Sequence, residues 1–157
     1  MKQFPLQLKQ SVVRDVACKA AETSEFCGTI SLSTTPSFAR SEDDSKLWQI
    51  SLIVQFKAGE GETKPLQYTG RIDVMGLFVI DESVPEETAL KMIAINGPTM
   101  LYGMARETIA FITSRSVHGV YLLPTITFAD LSLAVKEASG KIKPPARSTT
   151  PAPARTR

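Results

Sequence analysis

The chain has 157 residues, 43% of them hydrophobic and 22% charged, with a formal net charge of +2. That size and apolar content suit a single globular domain with its own core and argue against several domains. The longest uninterrupted apolar run, Leu77 to Ile80, is far below the ~20 residues that cross a bilayer, and the opening MKQFPLQLKQS has no apolar signal core. A cytoplasmic protein without membrane insertion is expected, and its two cysteines, Cys18 and Cys27, read as reduced thiols.

Taken in order, residues 6–18 alternate imperfectly, residues 29–34 alternate more clearly, and residues 48–57 place Trp48, Ile50, Leu52, Val54 and Phe56 on one face. AGEGETK supplies a hairpin turn, after which residues 66–74 put Leu66, Tyr68, Ile72 and Val74 opposite Gln67, Thr69, Arg71 and Asp73. One dry face and one wet face predict an antiparallel sheet covered on a single side. Pro85 followed by Glu86 and Glu87 starts a helix running to Ile95. Asn96 caps a second helix, with Pro98 near its start, that continues to Arg115. A third helix is expected from Phe128 to Ser139, ending at Gly140, with an extended apolar stretch, VHGVYLLPTIT, before it. The fold class is therefore α+β, with helices on one face of the sheet.

The second helix carries two apolar stripes, Leu101, Ala105, Thr108 and Ile112 beside Met100, Met104 and Phe111. The sheet takes one of them; the other needs a neighbouring helix or a second copy of the chain, unless the protomer buries both. Beyond it the charge changes sign. Lys136, Lys141, Lys143, Arg147, Arg155 and Arg157 face Glu137 alone, so the body is mildly acidic. Residues 141–157 are rich in Pro, Ala and Arg and read as a disordered basic tail, which puts the folded domain at residues 1–140.

Residues 98–115 resemble the central helix of the SecB export chaperones at Pro98, Leu101, Tyr102, Ala105, Arg106, Glu107, Ile109 and Arg115. LPTITFADL (residues 123–131) resembles the family's Leu-x-Pro-Val-Asn-Phe-Asp-Ala-Leu, Gly76-Leu77-Phe78 its Gly-Ile-Phe, and residues 6–20 its first strand. The chain departs from the pattern at Gly103-Met104, where the family has Pro-Tyr, at residues 116–119, and at Pro124, one place early. The resemblance implies a four-stranded antiparallel sheet with helices on one face and a dimer of dimers joined by the central helices, with Gly103, Arg106, Glu107 and Ala110 at that interface. It also implies a client groove between the loop after the first strand and the loop joining the last helices, with Phe26, Val117, Tyr121, Leu123 and Phe128 at or near it, or else in the core. Where relatives present three acids to the SecA motor, the matching positions here are Asp15, Lys19 and Arg71; two are reversed in charge, and SecA is a doubtful partner.

Catalysis finds no constellation. The single histidine, His118, is far along the chain from either cysteine, no Cys/His grouping has metal-ligand spacing, and Gly59-Glu60-Gly61 lacks the Lys-Ser/Thr of a phosphate loop. Glu42-Asp43-Asp44 lacks the glycine and terminal acid of a calcium loop. Neither enzyme activity, nor a metal or other cofactor, nor nucleic-acid binding is expected, since the basic tail has no aromatic residue for base stacking. The expected function is a SecB-like holdase that captures unfolded polypeptides, linked to protein export; the alternative is an adaptor dedicated to one partner, independent of SecA.

Overall fold

A computed structural model describes residues 4–131, and within them four strands and one helix: β1 (Leu6–Ala20), β2 (Ile30–Arg40), β3 (Leu47–Ala58), β4 (Tyr68–Ile80) and α1 (Glu86–Thr113). The strands form one antiparallel sheet in the order β1-β4-β3-β2. Because β1 pairs with β4, the chain between β1 and β2 has to cross from one edge of the sheet to the other.

The imperfect alternation of β1 has a structural cause. Its register with β4 slips between Leu8 and Gln10 and again between Val13 and Asp15, leaving Lys9 and Arg14 as extra residues. Each slip resets which side chains face inward. β2 runs further than its alternation predicts, through Pro36 to Arg40. Pro36 is tolerated because β2 is an edge strand whose outer side needs no N–H donor.

The alternation in β3 and β4 is realised in the packing. Ile50, Leu52, Val54, Ile72, Val74 and Phe78 are fully buried on the inner face. The outer face is wet only at one end. Thr69, Arg71 and Asp73 are followed there by Met75, Leu77 and Val79, all half-buried apart from the more deeply buried Asp73.

α1 covers the inner face against β3 and β4. It is one continuous helix, which corrects the expected break between Ile95 and Asn96. Pro98 lies inside it, buried together with Ala94 and Gly97 on the sheet side. An internal proline removes one backbone hydrogen bond and crowds the preceding turn; burial of this segment against the sheet outweighs that cost. The buried stripe is Ile93, Gly97, Leu101, Ala105, Ile109 and Thr113, flanked by Ala94, Pro98 and Tyr102. It is rotated from the expected stripe, with Thr108 half-buried and Ile112 exposed. Of the expected third helix, residues 128–131 show a single turn at 129–130 and no helix, and the remainder, like the basic tail, lies outside the described residues.

Candidate functional site

Two segments without regular structure meet at one end of the sheet. The first is the β1–β2 loop, residues 21–29, laid along residues 65–67 by Ala21 N–H donating to the Gln67 carbonyl (3.1 Å) and Cys27 N–H to the Pro65 carbonyl (2.9 Å). The second is an arm after α1, where the chain reverses through short turns and a left-handed Gly119 (φ 75°). From Val120 the arm is extended but joins no strand ladder, so its polar groups need other partners.

Side chains of the folded body supply them. The Tyr68 hydroxyl donates to the Gly119 carbonyl (3.0 Å) and accepts from the His118 N–H (3.0 Å). Gln67 Nε2 donates to the His118 carbonyl, the Tyr102 hydroxyl to the Pro124 carbonyl (2.6 Å), and Arg106 Nε to the Leu123 carbonyl (2.8 Å). The Tyr121 N–H donates to Thr113 Oγ1 (2.9 Å).

His118 joins the two segments. Its Nε2 lies 2.7 Å from the Ala21 carbonyl, which only accepts, so that nitrogen carries the proton. The ring meets Phe26 edge-on at 4.8 Å and Tyr68 at 5.6 Å. Tyr121 continues this aromatic layer, stacked on Phe56 at 5.8 Å, and burial holds its hydroxyl above the usual tyrosine range.

The arm alternates. Val120 (57% exposed) and Leu122 (65%) point to solvent, while Tyr121 is half-buried and Leu123 fully buried. Of the five expected groove residues, Val117 (79% exposed) and Phe26 lie at the open seam, and Tyr121 lies beneath it. Leu123 and Phe128 are core residues, and Phe128 packs edge-on against Tyr102. The exposed alternates Val120 and Leu122 were not anticipated, because a run such as VYLL does not reveal which parity faces water until the covering element is known.

The expected motor-facing positions lie on the outer face of the sheet. Asp15 stands opposite Asp73 across the β1–β4 ladder, and a pair of arginines neutralises them. Arg71 binds Asp15 (2.7 Å) and reaches Asp73 (3.7 Å); Arg14, one of the two extra residues of β1, binds Asp73 (2.8 Å). Lys19 is exposed on the same face. Of the expected interface residues on α1, Gly103 and Glu107 are exposed and Ala110 is half-buried, whereas Arg106 is engaged with the arm. Phe111 (71% exposed) extends this surface.

The family model of the preprotein translocase subunit SecB matches residues 2–138. The chain belongs to the SecB family. A curated SecB relative, the protein-export protein SecB of Hyphomonas neptunium, is 32% identical over 89 residues, which cover 57% of this chain and 52% of that protein. The chain thus spans about half the length of this curated SecB relative. Among solved structures, the SecB-like chaperone of Mycobacterium tuberculosis in complex with a ChAD peptide from the HigA1 antitoxin superposes with a TM-score of 0.58 at 15% identity, covering 78% of this chain and 91% of that one. At that identity the likeness is one of fold, and it agrees with the four-stranded sheet and its helix. Among the described residues no helix is long and apolar enough to cross a membrane, and no group of His, Cys, Asp and Glu could hold a metal ion.

Proposed function

We propose that this SecB-family chain is a holding chaperone of the cytoplasm, binding rather than transforming its substrates. Unfolded polypeptides lie along the seam between the β1–β2 loop and the arm. The observation that carries this reading is the exposed apolar set Val117, Val120 and Leu122 on an arm fixed from beneath by Tyr68, Tyr102 and Arg106, with Phe26 packed on His118 at its start. Such a set offers non-directional contact to many sequences, and its firm seating limits the ordering cost of binding. The outward side of α1, with Gly103, Glu107, Ala110 and Phe111, meets another copy, and two such pairs make a dimer of dimers.

The test is suppression of aggregation of an unrelated unfolded protein. Val120→Ser with Leu122→Ser removes two apolar contacts worth ~1.5 kcal/mol each, so client affinity should fall on the order of 100-fold. The far-ultraviolet spectrum should be unchanged, since both side chains already face water. Unchanged retention of the client would overturn the groove assignment.

A specific observation favours the adaptor as a second reading. Asp15, the one acid kept at the motor-facing positions, is bound by Arg71, and Lys19 adds a positive charge beside them. A chain with that face serves a dedicated partner more readily than a motor with a basic tail, and the mycobacterial structure shows a peptide of one antitoxin held by this fold. Client breadth separates the readings: an adaptor leaves unrelated aggregation unaffected.

A further inference from the structure

At the end of the sheet away from the seam, a cavity of about 330 Å³ opens between the start of α1 and the ends of β2 and β4. Its floor is apolar, formed by Trp48, Ile80, Val84 and Leu90. Its rim is charged. Arg40 binds Glu86 (2.8 Å) and lies over the Trp48 ring (5.4 Å), and Lys46 binds Glu82. Those pairs use up the cations of the rim but not its acids. Asp81, kept ionised by two hydrogen bonds from Ser83, lines the same cavity. Glu42, Asp43 and Asp44, on the adjoining β2–β3 turn, form no ion pair among the described residues. An occupant complementary to this site presents one aliphatic side chain between two cations.

The chain contains that pattern at Lys141-Ile142-Lys143, within the segment whose composition alone reads as a disordered tail. We propose that this cavity is the docking site of the chain's own Lys141-Ile142-Lys143, with Ile142 on the apolar floor at Ile80, Val84 and Leu90, beside Trp48, and the lysines on the acidic rim. Where the described chain ends supports the route. Leu131 lines a small cleft with Thr34 and Pro36 on the inner face of β2, and β2 leads from there to Arg40 on the cavity rim. The path along β2 from Pro36 to Arg40 is about 13 Å at ~3.3 Å per residue. The stretch from Leu131 to Ile142 covers about 16 Å even at a helical rise of ~1.5 Å per residue. A tether of that length holds the segment near the cavity at roughly millimolar effective concentration, so a modest contact suffices. The docking is independent of the client seam, which lies at the opposite end.

Trp48 is the chain's single tryptophan, so its indole N–H resonance and its fluorescence report on this cavity alone. In the full chain, Ile142→Ser should move the indole resonance and raise acrylamide quenching about 2-fold or more, and Lys141→Glu with Lys143→Glu should do the same. Arg155→Glu with Arg157→Glu, an identical change in charge away from Ile142, should leave both signals in place. The proposal fails if neither of the first two variants moves the signals, or if the distal arginine pair moves them equally, which would mean diffuse charge attraction. It fails also if the wild-type signals shift on 100-fold dilution, which would assign the occupant to a neighbouring copy.

Discussion

Gly97 and Gly103 lie on the same helix in opposite surroundings, and the contrast shows what each glycine is for. A Cβ at Gly97 would come within 2.2 Å of Ile50 Cδ1, in the fully buried centre of the sheet, so the missing side chain is what lets α1 settle onto β3. A Cβ at Gly103 would meet nothing within 4 Å. Gly97→Val should therefore overpack the core and cost about 1–3 kcal/mol, seen as a lower urea midpoint with an unchanged slope. Gly103→Val should leave the protomer no less stable, because valine is a better helix former than glycine. Any loss of assembly mass in the second variant then reports a close approach between copies rather than damage to the fold. An unchanged mass together with full client retention would remove Gly103 from the interface. Sequence alone marks both positions as small residues on a helix and cannot separate them, since the difference lies in which neighbour stands opposite.

The arm is the element least legible in advance. β3 and the first half of β4 could be read from alternation because an apolar inner face there stands opposite a polar outer one, whereas the arm has no partner strand and therefore no period imposed on it. The join in α1 is hidden for a different reason: Asn96 and Pro98 form a valid helix start locally, while in the fold Gly97 and Pro98 are buried against the sheet within one continuous helix. What holds the arm is a set of side-chain donors and acceptors, which makes it separable from the sheet by mutation. Tyr68→Phe withdraws the acceptor of the His118 N–H and the donor to the Gly119 carbonyl, so exchange of the His118 amide should accelerate while amides of β3 and β4 keep their protection. Tyr102→Phe strands the Pro124 carbonyl, at about 1–3 kcal/mol if water does not replace the bond. Tyr102 also gives the arm a pH dependence. Burial, opposed by the nearby Arg106, raises its hydroxyl above the usual value, so the fold favours the neutral phenol. That contribution is complete below the unfolded-state value of ~10 and is lost as pH rises through the higher folded value. Melting temperature should thus decline above about pH 10, and less steeply in Tyr102→Phe; equal slopes in the two proteins would contradict the assignment.

On the scale of the whole molecule, the outer face of the sheet is where the proposed weakness toward an export motor with a basic tail can be tested. Charge reversal alone predicts repulsion by both Lys19 and Arg71, but the structure gives the two residues different parts. Arg71 is held between Asp15 and Asp73, so it removes the acid a basic peptide would use instead of standing as a free positive charge. Lys19 is exposed and unpaired among the described residues, so on the proposed reading it is the residue that would repel a basic tail directly. The informative double variant is Lys19→Glu with Arg71→Gln. Glutamine keeps the length of the side chain, releases Asp15, and avoids setting a third acid beside Asp15 and Asp73, which glutamate would do at a cost in stability. Titrated at low salt with the basic tail peptide of a SecA motor, the unmodified chain should show weak binding. The double variant should bind at least about 10-fold more tightly, with the gain fading toward 0.5 M salt as the charges are screened. Lys19→Glu alone should give a partial gain, because Asp15 remains bound by Arg71. Tight binding by the unmodified chain would show that the acids at Asp15 and Asp73 are accessible despite their arginines, and would restore the motor as a partner in place of a dedicated one.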